Sequence, residues 1–333
     1  MTGNTGNTGN TGNTGNTGNA GINGDVGGGW FLSERADFPF STEKASTGAT
    51  LGTLRRAVHI REQTPGPRKE IVFMNRRSGG QSVAFANRNW AGRWYAFRVL
   101  KEFAATGWDT DDLHDALADI LIALNSTVGG KTRQELEIDE LLAAARDERA
   151  AALGEILTQD VEFITAFMEA LAMMPGSHPR TFRVLHIASL IGSFSALRFK
   201  DAFQRPRPSW ECPALMPPVP VPGHAAYPSG HATQAYLMAR CISHVLRIVT
   251  PQLPSGDRSA LDETLGALAG RVARNREIAG LHYPSDSAAG ETLAAAVFET
   301  LSDHSNNGHD ENDYALKTFG KAVVQAAAEW KAG

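Results

Sequence analysis

Cysteine is nearly absent from these 333 residues: only Cys212 and Cys241 occur. Neither belongs to a CxxC pair or stands beside a histidine at metal-ligand spacing, so no disulfide framework or zinc site is implied. Two thiols in a reducing compartment are expected. An excess of basic charge is missing too. The 32 Lys and Arg are outnumbered by 36 Asp and Glu, for a net charge of −4, which argues against the basic stripe of a nucleic-acid binder. A local cationic pocket on an acidic protein stays possible. Long apolar runs are lacking as well, since no segment reaches the roughly 18 uninterrupted apolar residues of a membrane span. The nearest approach, VLHIASLIGSFSAL (184–197), carries His186 and is closed by Arg183 and Arg198. It reads as a buried helix, and no integral membrane segment is expected. The N-terminus has no basic region followed by an apolar core, so no secretory signal is read and a cytoplasmic location is expected by default.

What is present divides the chain into three parts. Residues 2–19 are six copies of Thr-Gly-Asn, followed by a glycine-rich stretch. Nothing there can bury apolar surface against the entropy of ordering, so 1–29 is expected to be a disordered tail. The glycine period of three lacks proline, which excludes collagen. Residues 30–85 are turn-rich, with TPGP at 64–67 and SGG at 78–80, and read as an irregular lead-in with a short strand at EIVFM (70–74). From 86 to 333 apolar residues recur at helical spacing. Helices are expected over Asn87–Ala105, Thr110–Ser126, Thr132–Leu157, Thr158–Met174 and Thr181–Phe203. Four more are expected at about 231–249, 258–279, 287–302 and 313–331, and Asp109 or Thr110, Thr132 and Ser177 are plausible caps. HSNNGHDENDY (304–314) between the last two reads as a solvated loop. The expected fold class is all-α.

Three segments place charge against helix ends in otherwise apolar surroundings. In LRFKDAFQRPRPSW (197–210), Lys200 nears the end of a helix that Pro206 must stop, and Arg207 lies in an extended Arg-Pro-Arg-Pro loop. Two fixed cations suit a tetrahedral oxoanion, although basic residues at a helix C-terminus also serve simply to complement the dipole. In VPGHAAYPSGHATQAY (221–236), Ser229 is an N-cap, Gly230 permits close backbone approach and His231 opens a helix. Helix-mouth N–H groups bind anions, and a histidine there can move a proton; a capped helix with an incidental histidine reads equally well. In RNREIAGLHYPSDSAAG (274–290), Asp286 stands four residues past His282, close enough to hold one ring N–H and leave the other nitrogen to attack or coordinate.

Together the blocks read Lys200-x6-Arg207-Pro208, then Pro228-Ser229-Gly230-His231, then Arg276-x5-His282-x3-Asp286. This pattern resembles the signature of the type 2 phosphatidic acid phosphatase (PAP2)/vanadium haloperoxidase superfamily, which includes soluble bacterial acid phosphatases. Asn275 stands where the third block usually has serine, and it can still donate a hydrogen bond. The resemblance implies a helical bundle with an oxoanion pocket among helix ends. Lys200, Arg207 and Arg276 would neutralise the oxoanion, and Ser229 and the Gly230 N–H would add hydrogen bonds. In a phosphatase, His282 would attack phosphorus and form a phosphohistidine, His231 would act as acid and then base, and Asp286 would orient His282. No cofactor would be needed, and the substrate would be a small phosphate ester. In a haloperoxidase the same pocket would hold vanadate, with His282 as the metal ligand, and the partners would be peroxide and halide.

Peripheral residues divide between the two uses. His224 lies five residues before Ser229, where algal bromoperoxidases carry a histidine near the halide, and His-Ala-Thr-Gln after it resembles theirs. His282-Tyr-Pro-Ser-Asp286 and the RPRP run resemble bacterial phosphatases. Acid phosphatase is the first expectation and bromoperoxidase the alternative. A membrane lipid phosphatase ranks below both for want of spans, and a binding protein without turnover would not need both histidines and the aspartate. The resemblance leaves export, oligomeric state and natural substrate open.

Overall fold

The computed structural model describes residues 58–63, 70–75, 81–82, 91–249, 255–305, 308 and 310–331. The expected tail at 1–29 lies outside them, as does most of the lead-in. Within the lead-in, β1 (Val58–Gln63) pairs antiparallel with β2 (Glu70–Asn75), and β2 with β3 (Gln81–Ser82). Val72 and Phe73 of the expected 70–74 strand thus fall in β2, opposite Arg61 and Ile60. Two compact units divide in sequence between Ala91 and Gly92.

The unit from Gly92 onward is helical, as expected. Its helices are α1 (Gly92–Phe103), α2 (Asp111–Ile122), α3 (Arg133–Asp147), α4 (Arg149–Val161), α5 (Ile164–Ala170), α6 (Pro179–Phe203), α7 (Pro208–Glu211), α8 (Gly230–Val249), α9 (Ser255–Ile278), α10 (Pro284–Leu301) and α11 (Lys317–Glu329). A two-residue ladder, β4 (Thr127–Val128) with β5 (Lys131–Thr132), joins α2 to α3. Thr110 caps α2 by accepting from Leu113 N, and Thr132 forms a capping box with Glu135 at the start of α3. Ser177 does not cap α6. His178 holds that position without a side-chain capping bond, and Glu329 from α11 accepts from the Arg180 and Thr181 N–H groups at 2.7 and 2.9 Å. The 304–314 loop is only partly solvated: Tyr314 is buried, with its hydroxyl donating to Gly308 O and held by His244 Nε2 at 2.6 Å.

The core forms around α8, which packs on α6, α9, α10 and α11. Leu237, Met238, Ile242 and Val245 on α8 are fully buried, each such side chain contributing roughly 1.5–3 kcal/mol. Two glycines set the closest approaches. A Cβ at Gly192 of α6 would come within 3.0 Å of Gln234 Cα, and one at Gly290 of α10 within 2.8 Å of Ser229 O. Both contacts fall on the first turns of α8, which therefore start deep inside the bundle.

One expectation is corrected here. The stretch Pro179–Glu211, α6 with the segment after it, is long and apolar enough to cross a membrane. Its best 18-residue window has a mean hydropathy of 1.2, and 72% of that window is buried inside the protein. Arg183 misled the sequence reading as a terminator: it lies within the helix, buried, with its guanidinium 4.2 Å from the Tyr95 ring. The expectation of no integral membrane segment therefore falls, and the default cytoplasmic location falls with it.

Candidate active site

Four chain segments converge on His282. Helix α6 ends at Phe203 through a left-handed Gln204, so Lys200 in its last turn points at the loop that follows. Lys200 Nζ donates to Ala225 O and Ala226 O at 2.8 and 2.6 Å, fixing the loop that carries His224 and leads to Ser229. Arg207 sits in the extended segment before α7. It donates to His224 O, Leu281 O and His282 Nε2 at 3.1, 2.8 and 3.2 Å, and its Nη2 lies 3.1 Å from His224 Nδ1. Ser229 Oγ accepts from Ala232 N at 3.3 Å, which starts α8 at Gly230 and sets His231 in the first turn, where N–H groups have no intrahelical acceptor.

The third block closes the site. Gly280, at φ +76°, lets the chain leave α9 and turn into α10. Asp286, in the first turn of α10, accepts from Tyr283 N at 3.0 Å and from His282 Nδ1 at 3.1 Å. The Nδ1 proton is thereby fixed, and the lone pair sits on Nε2, facing Arg207. Arg276 closes α9 and donates to Ile156 O at 2.6 Å, with Asp160 at 3.5 Å. His231 Nε2 donates to Gln159 O at 2.9 Å, which leaves Nδ1 as its basic atom when neutral, and its ring stacks on Phe163 at 5.2 Å.

Burial dominates the electrostatics. Lys200, Arg207, Arg276, His231, His282 and Asp286 are all at most 2% exposed, where an uncompensated charge is costly. Desolvation brings Arg207 and Arg276 down to about 10, against the pull of Asp286 and Asp160 respectively. Lys200 is lowered well below its ordinary value by burial and then by Arg207. His282 is driven down by burial, then by Arg207, Lys200, His224 and Arg276. Burial and then Arg276 do the same to His231. Burial raises Asp286, with Arg205 the largest opposing influence. Among the described residues neither Lys200 nor Arg207 has an ion pair. The site is cationic with neutral histidines, and an entering oxoanion would relieve the repulsion and let His231 hold a proton.

All nine residues picked from the sequence lie here, His224 included. Others were missed. Arg205, two residues before Arg207, is buried; it donates to Asp286 Oδ1 at 2.6 Å and to Glu137 Oε2 at 3.0 Å, and stacks on Tyr283 at 3.6 Å. Gln159 of α4 supplies the His231 acceptor through its main chain. Asn275, already noted in the third block as a hydrogen-bond donor, donates to Glu155 and Gln159 at 2.7 and 3.0 Å, so it braces α4.

Residues 183–305 match the model of the PAP2 superfamily. No curated protein matches. Among solved structures, the chain is similar to the first transmembrane PAP2-type phosphatidylglycerolphosphate phosphatase from Bacillus subtilis. The identity is 16% and the TM-score 0.30, over 62% of this chain and 92% of that one. The matched segment contains Lys200, Arg207, Ser229, His231, Arg276, His282 and Asp286, and over residues 183–305 this chain is similar to the PAP2 superfamily.

Proposed function

We propose that the chain is a phosphoric ester hydrolase that works through a phosphohistidine on His282 and needs no divalent metal. One observation carries the reading: three buried cations gather about a histidine whose Nδ1 proton is fixed by a carboxylate. Phosphoryl transfer asks mainly for positioning and charge neutralisation, and Lys200, Arg207 and Arg276 supply the latter. Arg207 exchanges its bond to His282 Nε2 for a phosphoryl oxygen as substrate binds. Nε2 then attacks phosphorus, and the P–O bond to the alcohol breaks. His231, protonated in the presence of the anion, gives its proton to the departing alkoxide. In the second half, neutral His231 takes a proton from water, hydroxide attacks phosphorus, and the P–N bond breaks to release phosphate and restore His282. Ser229 and the Gly230 N–H steady the oxygens.

A second reading rests on His224, whose ring touches Arg207 at 3.1 Å. The same cations would hold vanadate, with His282 Nε2 as its ligand; vanadate when bound supplies Lewis-acid activation of peroxide for halide oxidation. The test is hydrolysis of 4-nitrophenyl phosphate at mildly acidic pH, with acid-labile phosphate sought on His282. Turnover that vanishes in His282→Ala is the expected result. Absence of hydrolysis together with bromide oxidation by peroxide after vanadate loading would establish the second reading instead. Phosphate or vanadate binding without either reaction would leave only an oxoanion-binding protein.

A further inference from the structure

Behind Asp286 lies a chain of alternating charge that runs out of the three motif blocks to Glu137. Asp286 has two carboxylate oxygens, and they face different ways. Oδ2 holds the His282 Nδ1 proton and the Tyr283 N–H; Oδ1 accepts from Arg205 Nη1 at 2.6 Å. The other nitrogen of the Arg205 fork, Nη2, donates to Glu137 Oε2 at 3.0 Å. Glu137 is itself fixed from below: its Oε1 accepts from Ser285 N at 2.7 Å and its Oε2 from Ser285 Oγ at 2.9 Å. Ser285 Oγ is also an acceptor for Arg205 Nη1, at 2.7 Å. Tyr283 closes the guanidinium's face. Arg205 has 6% of its side chain exposed, Glu137 12% and Asp286 none. Every donor of the fork that points at these groups is used, and a planar guanidinium fixes both carboxylates at once as an ammonium cannot.

We propose that Arg205 and Glu137 are positioning residues for the reaction at His282: Arg205 keeps Asp286 the acceptor of the Nδ1 proton, and Glu137 keeps Arg205 in place. Glu137 comes from α3, outside the 183–305 segment, so the oriented nucleophile is completed by a helix that the family match does not cover. The reasoning is one of alternatives. A carboxylate this deeply buried is pushed toward its neutral form, and Arg205 is the strongest opposing influence, ahead of the Tyr283 N–H, Lys200 and Arg207. Without the fork, a protonated Asp286 would donate to Nδ1 instead of accepting from it. The imidazole proton would then sit on Nε2, and the lone pair that must attack would be gone.

This inference rests on the hydrolase reading for its kinetic consequence but not for its structural one, and the experiment separates the two. The full-length chain would be compared with Arg205→Met, Arg205→Lys and Glu137→Gln. In each, the His282 ring-nitrogen shifts would be read by 1H–15N NMR in the presence of inorganic phosphate and assigned by the loss of signal in His282→Gln. Expected are a wild-type Nε2 without hydrogen, a reversed or mixed tautomer in Arg205→Met and Glu137→Gln, and partial retention in Arg205→Lys. Hydrolysis of 4-nitrophenyl phosphate is expected to lose roughly 10–100-fold in kcat, as for groups that orient a reacting histidine, with KM changing far less. Guanidinium ion is expected to restore part of the Arg205→Met activity. If Arg205→Met fails to melt cooperatively, Glu137→Gln decides alone, because it keeps an oxygen for Ser285 N and removes only the charge that holds Arg205. A wild-type tautomer with unchanged kcat in Glu137→Gln overturns the proposal. Should the wild type hydrolyse nothing, the hydrolase reading fails while the tautomer comparison still decides the positioning role.

Discussion

Lys200 shows how a single residue records the purpose of the site. Its ammonium is buried against two carbonyl oxygens with no ion pair among the described residues. Its proton affinity is lowered by burial and by Arg207. A base with a depressed folded value binds its proton less well folded than unfolded, so at neutral pH the charged lysine works against folding. Replacing it with methionine is therefore expected to stabilise the ligand-free protein by about 1–3 kcal/mol, measured by denaturant unfolding. The wild type is expected to gain about 2.7 kcal/mol at a phosphate concentration 100-fold above Kd, and Lys200→Met to gain little. A variant less stable than wild type without phosphate would show that the lysine serves the fold. Residues of this kind were legible in the sequence because a charge amid LRFKDAF or GLHYPSD interrupts an apolar pattern. Glu137 was not, since RQELEIDE is an ordinary acidic helix face until Arg205 arrives from 68 residues away. Arg205 itself stood in view in the RPRP run, but nothing local distinguishes a guanidinium that meets substrate from one that meets a carboxylate.

At the scale of elements, the site depends on how closely α10 lies against the mouth of α8. A methyl group at Gly290 would stand 2.8 Å from both Ala232 Cβ and Ser229 O, and helix backbones cannot give way there without moving Ser229 and His231. Gly290→Ala is expected to destabilise by roughly 1–3 kcal/mol through overpacking and to lower kcat. Gly154→Ala, inside α4 with no atom within 4 Å of the new Cβ, should instead stabilise by about 0.5–1 kcal/mol. Equal effects of the two substitutions in unfolding and activity assays would remove the close approach as the explanation. The same scale shows where periodicity ran out. One helix was expected over Thr132–Leu157, but the chain breaks at Glu148 between α3 and α4. Arg149 then reaches Leu215 O and Ile278 O at 2.7 and 2.9 Å. Apolar spacing is continuous across that break, so only tertiary partners distant in sequence could mark it. Thr110 and Thr132 were readable as caps because their partners lie three residues on; the α6 cap was not, because Glu329 arrives from the far end of the chain.

For the whole molecule, the question is how much chain the chemistry requires. The matched segment, 183–305, is too short to be the answer. Helix α4 lies before it and supplies the Gln159 and Ile156 carbonyls that hold His231 and Arg276. Glu329 lies after it and caps the helix whose last turn carries Lys200. Every group in the site, from Glu137 to Asp286, nonetheless falls in the unit that begins at Gly92. We propose that residues 86–333 suffice. About 250 residues bury enough surface to fold as one core. A chain starting at residue 86 is expected to melt cooperatively and to bind phosphate with a Kd close to that of the full-length chain, as a self-contained domain would. It should also hydrolyse 4-nitrophenyl phosphate at a comparable kcat. A shortened chain that folds but binds phosphate poorly would assign residues 1–85 a part in the site. A shortened chain that does not melt cooperatively would make them part of the core.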